Sequence, residues 1–306
     1  MSRFFEFLRK VNGPVPGSDA ESNSAELVSE ASRILSVVNG GSLKESCSTP
    51  LIHEVSSLSV SIGPSARLVF HTDATSPAAD RFRLLRMRLR AIKNTDKLKR
   101  VLLTSPLPGD GKSTVSLNLA TALAEGGKQR VLLIDADLHH SSLNNQLGLL
   151  AGDGLSECLS SDSDPMLAIR HLEPLKFYLL SAGRNHSPNP TELLQTQILS
   201  KVMHQLSPHF DWILIDSPPV LPLTDAVYLA HHADATLLIA RAGRTPNKTI
   251  EKAISLLGRQ HILGLVLNGI EGIGKVYSRY AGYYGGVAKY RGDTSIERTN
   301  RLAAES

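Results

Sequence analysis

Between Arg100 and Leu267 short continuous apolar runs alternate with stretches of helical periodicity, and this rhythm limits the available folds more than any other feature of the chain. The runs are Arg100–Thr104, Arg130–Ile134, Phe177–Leu180, Trp212–Ile215, Ala235–Ala240 and Ile262–Leu267. Helical patterns fill Ser113–Glu125, Thr191–His204, Thr224–His231 and Pro246–Gln260. A run with no polar alternation has no face to offer water, so each predicts a strand covered on both sides. The order strand–helix–strand predicts an α/β fold with a mostly parallel sheet and helices on both faces.

The flanks differ. A further helix is predicted from Ser76 and Pro77, Ser at the N-cap and Pro in the first turn, running through RFRLLRMRLRAI. Residues 1–65 are predicted as a short N-terminal helix followed by a largely unstructured Ser/Gly-rich linker, residues 66–270 as the folded domain, and residues 271–306 as a flexible tail. In the N-terminal helix Phe4, Phe5, Phe7, Leu8 and Val11 lie beside Arg3, Arg9 and Lys10. That face suits either the protein's own core or a partner or membrane surface. Within the linker, Asn23 and Glu26 have capping-box spacing, and Leu27, Ala31, Ile34 and Val38 recur at helical intervals.

At 306 residues the chain is long enough for one full α/β core with an extension. A net charge of +4 and the absence of an aromatic–basic stripe argue against nucleic acid as a partner. Cys47 and Cys158 have neither CxxC spacing nor a His/Cys cluster beside them, so no zinc site or disulfide framework follows. No apolar run is long enough for a membrane span, and the N-terminus lacks a signal-peptide core.

The first strand enters SPLPGDGKST and then a helix. Gly109, Asp110, Gly111, Lys112, Ser113 and Thr114 have the arrangement of a phosphate-binding loop. Backbone N–H groups and the helix N-terminus wrap phosphates, Lys112 neutralises their charge, and the Ser113 hydroxyl ligates Mg²⁺. The usual glycine six residues before the lysine is replaced by Pro106. The second strand ends VLLIDADL, and period two points Asp135 and Asp137 to one side at the C-terminal sheet edge. Asp216 ends WILIDSPP, the pattern of a carboxylate that holds Mg²⁺ through water. ATP and Mg²⁺ are the ligands this set predicts. The tail carries Tyr277, Tyr280, Tyr283, Tyr284 and Tyr290, five of the chain's seven tyrosines, separated by Gly, Ala, Ser, Lys and Arg. Such a run suits either a tethered phosphoryl acceptor or an adhesive terminus.

These motifs resemble the bacterial tyrosine kinases of the exopolysaccharide type (BY-kinases) in the soluble CpsD/CapB-like arrangement. The resemblance spans roughly Thr72 to Arg291 and rests on SPLPGDGKST as Walker A, VLLIDADL as Walker A′, ILIDSPP as Walker B, SAGRNHSPNPTELL as the loop after the third strand, and the tyrosine tail. It implies a P-loop NTPase fold of the MinD/ParA-like subgroup. The signature lysine of those switch ATPases is replaced by Leu107. It also implies an autokinase. Lys112, Asp135 and Asp137 would be catalytic, with Asp135 or Asp137 taking the tyrosine proton. Ser113, Asp135 and Asp216 would hold the metal, and Asn268 would contact the base. Asp80, Arg83 and Arg86, similar to the family's Glu-x-x-Arg-x-x-Arg motif, would lie at the interface of a homo-oligomeric ring. Spacing of three puts those charges on one helix face.

A membrane polysaccharide co-polymerase would be the activating partner, holding the cytoplasmic kinase at the inner face of the plasma membrane, and the tail would be phosphorylated in trans to control capsule polymerisation and export. His139, His140 and Ser141 stand where the family commonly has Arg-Arg-Pro. A partly charged imidazole in place of a permanent guanidinium would weaken activity or make it pH-dependent, unless that position is only structural. Two other readings remain at this stage: a switch ATPase without kinase activity, and an ATP-binding pseudokinase scaffold.

Overall fold

A computed structural model describes residues 55–63, 66–95, 97–184 and 189–270. The N-terminal helix, the Asn23–Val38 segment, Cys47 and the five tail tyrosines lie outside the described residues. In chain order the elements are β1 (Ser57–Ser59), α1 (Val69–Thr72), α2 (Pro77–Thr95), β2 (Arg100–Thr104), α3 (Lys112–Ala124), β3 (Val131–Asp135), α4 (Leu143–Leu147), α5 (Leu155–Ser161), α6 (Pro165–Ala168), β4 (Arg170–Glu173), β5 (Phe177–Leu180), α7 (Pro190–Leu194), α8 (Gln197–Leu206), β6 (Trp212–Asp216), α9 (Asp225–Ala230), β7 (Ala235–Arg241), α10 (Asn247–Leu257) and β8 (Ile262–Asn268).

The strands form one eight-stranded sheet in the order β1-β4-β5-β3-β6-β2-β7-β8. From β5 to β8 all neighbours are parallel. β4 runs antiparallel to β5, and β1 follows β4 in parallel. Every residue of β3 and β6 is buried, as expected of strands with helices above and below. Period two divides the apolar side chains between two cores. Val101, Leu103, Leu133 and Leu214 face a cluster with Leu89, Leu117, Leu123 and Leu143. Leu102, Leu132, Ile134 and Ile213 face one with Leu159, Leu199, Leu229 and Ala253. Helices α2 to α4 therefore cover one face and α5 with α7 to α10 the other.

Several elements depart from the sequence expectations. β1 lies inside the predicted linker: all three residues are exposed, so no hydrophobic pattern marks it. It is held by its ladder to β4 and by the Val60 N–H donating to Glu173 O at 2.8 Å. The helix expected over Thr191–His204 is two helices. Thr196 is extended (φ −72°, ψ 153°), and its hydroxyl donates to Leu193 O at 2.8 Å, closing α7 before α8 begins. The helix expected to reach Gln260 ends at Leu257, because Gly258 takes φ 80°.

Two polar contacts anchor the scaffold. Asn118, buried in α3, accepts the Val69 N–H at 2.8 Å and donates to Arg67 O at 3.0 Å, tying the segment before α2 onto the core. Trp212, fully buried at the start of β6, donates to Gln129 Oε1 at 3.1 Å and lies under the Lys93 ammonium, 4.5 Å from the ring centroid.

Candidate active site

The phosphate loop leaves β2 at the C-terminal sheet edge and enters α3 through Gly111, whose backbone is left-handed (φ 94°). Only glycine takes that conformation without strain, and a Cβ there would lie 2.1 Å from Asn268 Nδ2. Gly109 is likewise left-handed (φ 81°). With Gly111, Lys112, Ser113 and Thr114 it lines a cleft of about 530 Å³. Asp137, His139 and His140 complete the cleft from β3's side, and Pro219, Pro222 and Leu223 from the loop after β6.

Strand pairing brings the three expected carboxylates together. Asp135 and Asp216 are register partners at the ends of β3 and β6, and both are buried. Asp137, two residues beyond, receives Lys112 Nζ on Oδ2 at 2.7 Å and the His140 N–H on Oδ1 at 3.0 Å. Burial would push the Lys112 ammonium down, but Asp216, Asp137 and Asp135 outweigh it and hold the pKa above the usual lysine range. Asp135 is pushed up to about 7, first by burial and then by the charge of Asp216, against a hydrogen bond from Ser141 Oγ at 2.8 Å. Burial also raises Asp216, against the pull of Lys112.

Asp216 Oδ1 accepts the Ser116 hydroxyl at 2.9 Å, while Oδ2 is buried with no hydrogen-bond partner. A buried carboxylate oxygen lacking a donor fits a cation or its water. Among the described residues no three His, Cys, Asp or Glu side chains converge to hold a metal alone. The donor set suits a hydrated Mg²⁺ that takes other ligands from the Ser113 hydroxyl, water and phosphate.

Three expected residues stand in unexpected surroundings. The Asp110 side chain is turned into the protein, away from the cleft-lining groups. Asn268 Nδ2 donates to Asp110 O at 3.0 Å, so this asparagine braces the phosphate loop. His139 Nε2 is 2.9 Å from Asp225 Oδ2, and Asp225 Oδ1 accepts the Thr191 hydroxyl at 2.7 Å. Asp225 is fully buried, so the imidazole ties the turn after β3 to α7 and α9.

On α2, Arg83 Nη2 meets Glu125 Oε1 at 2.9 Å, and Arg86 binds the other carboxylate oxygen of Glu125 and Ala122 O. Asp80 pairs with Arg83 at 3.1 Å. Within one chain these arginines cap the C-terminal end of α3, so service to a neighbouring subunit would require shared or exchanged contacts.

Sequence reasoning missed Ser116, Asp225 and Thr191, and marked Ser141 only as a departure from the family's Arg-Arg-Pro. Ser116 lies one turn beyond Lys112, which helical spacing alone could have flagged; the others leave no local signal.

Residues 106–257 match the family model described as AAA domain. Over 218 residues the chain is 32% identical to the tyrosine-protein kinase YwqD of Bacillus subtilis (strain 168), covering 70% of this chain and 89% of that protein. It is 34% identical to the tyrosine-protein kinase CpsD of Streptococcus pneumoniae serotype 4, covering 58% of this chain and 78% of CpsD. Against the tyrosine-protein kinase ptk of Acinetobacter johnsonii it is 33% identical, but the match spans only 26% of that longer protein. In three dimensions the kinase domain of Escherichia coli tyrosine kinase ETK is similar at 28% identity and TM-score 0.63, with 66% of this chain and 80% of that one covered. The BceF tyrosine kinase domain is similar at 30% identity and TM-score 0.61, covering 87% and 97%. A mostly parallel sheet that gathers a phosphate loop and strand-end carboxylates at one edge, in a chain aligned along 89% of YwqD, places this protein in the bacterial tyrosine-protein kinase family.

Proposed function

We propose that the chain is an ATP-dependent tyrosine autokinase whose acceptors are Tyr277, Tyr280, Tyr283, Tyr284 and Tyr290 of a neighbouring copy. The observation that carries this reading is the meeting of Lys112 and Asp137 in the cleft with Asp135 and Asp216 buried beside them at the strand ends, the last with an unpartnered buried oxygen. ATP with Mg²⁺ supplies the transferable γ-phosphoryl group and charge neutralisation at its oxygens. Gly109, Gly111, Ser113 and Thr114 would hold the phosphates, and Ser113, Asp135 and Asp216 the hydrated cation.

Asp137, which lines the cleft, accepts the proton of the incoming tyrosine hydroxyl. A bond forms between phenol oxygen and γ-phosphorus while the β–γ bridging P–O bond breaks, and ADP leaves. Lys112 moves from Asp137 toward the phosphoryl oxygens, which frees that carboxylate as the base. Positioning and electrostatics account for most of the rate in such chemistry. Asp135 is buried at the end of β3, so its part would be to help hold the hydrated cation and to fix Ser141.

In this reading α2, with Asp80, Arg83 and Arg86, borders a neighbouring subunit of a ring. Each new phosphate adds about −1.5 to −2 charge to the tail and drives it from the acidic site. The cycle would regulate polymerisation and export of an extracellular polysaccharide. Among the described residues no helix is long and apolar enough to cross a membrane. Attachment to the inner face of the plasma membrane would pass through a polysaccharide co-polymerase, which would also activate the kinase.

Mass-spectrometric mapping of phosphotyrosine after incubation with ATP–Mg²⁺, with and without a fused activating segment, tests the reading. Phosphate on Tyr277 to Tyr290 that disappears in Lys112→Met supports it. Bound nucleotide with an unmodified tail under both conditions would replace it with a switch ATPase or a scaffold.

A further inference from the structure

One acidic side chain of the phosphate loop has no part in the chemistry above. Asp110 is 2% exposed and faces away from the cleft. Its Oδ2 accepts the Leu107 N–H at 3.2 Å, which closes the loop on itself. Its Oδ1 accepts the hydroxyl of Thr245 at 2.7 Å, across 135 residues of sequence. Thr245 lies between β7 and α10, and its oxygen accepts the Arg241 N–H at 3.0 Å. Asn268, at the end of β8, donates from Nδ2 to Asp110 O at 3.0 Å. The Ala242 N–H donates to Asn268 O at 2.9 Å. The ends of β7 and β8 and the phosphate loop thus form one closed hydrogen-bonded circuit, with Thr245 as its only side-chain donor to the Asp110 carboxylate among the contacts described.

We infer that Thr245 is a positioning residue for nucleotide binding, acting through Asp110 on the phosphate loop. A buried carboxylate inside a loop built for polyphosphate is unfavourable unless donors spread its charge and hold it away from the ligand. The Thr245 hydroxyl does both. It fixes the carboxylate to the scaffold, and Asp110 in turn holds the peptide groups on either side at the angle that aims their N–H groups into the cleft. A valine would keep the shape and β-branching but leave one carboxylate oxygen without its charge-assisted bond, the stronger class of hydrogen bond.

The inference rests on the reading of the cleft as an ATP site, and the test separates the two. Full-length wild type, Thr245→Val and Thr245→Ser would be titrated with a fluorescent ADP analogue and Mg²⁺, and amide exchange of residues 107–112 followed in each. The expected result is roughly tenfold weaker binding and faster loop exchange in Thr245→Val, restored to within about twofold in Thr245→Ser, with a thermal midpoint lowered by a few degrees in the valine variant and recovered in the serine one. Equal affinity in wild type and Thr245→Val, or a serine variant as weak as the valine one, would overturn the positioning role while leaving the ATP site intact. No binding by the wild type would overturn the ATP reading and this inference with it. If Thr245→Val does not fold, Thr245→Ala carries the same expectation.

Discussion

Asp135 makes the protein's stability fall as pH rises, and an asparagine in its place should remove much of that fall. Its carboxyl is completely buried at the end of β3, in register with Asp216, and titrates near 7 rather than at the ordinary value of 3.8. Between those two values the folded chain binds a proton at this position that the unfolded chain does not. Stability contributed by the neutral carboxyl is therefore greatest at low pH and is lost as pH climbs through 7. At about 1.4 kcal/mol per unit, flattening as the folded carboxyl ionises near 7, wild type should lose roughly 2 kcal/mol between pH 5 and pH 7 relative to Asp135→Asn. Above about pH 8 the two curves should run parallel.

The asparagine fits the same contacts. Its Oδ1 accepts the Asp137 N–H, and the Ser141 hydroxyl turns to accept from Nδ2. Asp216, raised by burial and paired in register with Asp135, titrates together with it, so the difference reads the pair; the remaining groups do not mask it. Glu125 and Asp234 are depressed by their arginine partners, so their stability is lost only as pH falls below the ordinary carboxylate range. His232, lowered by burial, adds stability as pH rises, but equally in both proteins, so it cancels in the difference. Urea unfolding of both proteins at half-unit steps from pH 5 to pH 8 measures the difference directly. A pH-independent offset would refute the argument that buried negative charge destabilises this site.

Two further substitutions probe the surroundings. His139→Ala should destabilise the chain by about 2 kcal/mol or more in thermal or urea unfolding, because it leaves the fully buried Asp225 with one fewer partner, whereas His139→Gln should recover much of the loss. Gly183→Ala should cost about 2 kcal/mol or more by the same measurements, since its φ of 108° is strained for alanine and a Cβ would lie 2.1 Å from both Glu157 Oε2, which caps α5, and Ser156 Oγ, which donates to that oxygen.

What the sequence disclosed follows from how locally each feature is encoded. The parallel strands were legible because VLLID and WILID are buried on both faces and so contain no polar interruption. The antiparallel β4 was not: RHLE has Leu172 as its one buried residue, and its partner is chosen by the ladder to Phe177–Leu180. In the site, Lys112, Asp135, Asp137 and Asp216 announced themselves by their places at strand and helix ends. Ser116 reaches Asp216 across 100 residues, and His139 reaches Asp225 across 86. Contacts at such separations leave no period in the sequence. Asp110 shows the limit most plainly, since the sequence groups it with the phosphate loop while its side chain turns to Thr245 instead.

Trp212 gives the molecule an optical property. The chain has a single tryptophan, and it opens the strand that ends in Asp216. Its indole is sealed from water against Lys93 and Gln129, so it should emit at short wavelength in the folded state and shift red when β6 is released. All tryptophan emission therefore comes from one strand at the centre of the sheet, and the release of the strand that ends in Asp216 can be followed without attaching a label.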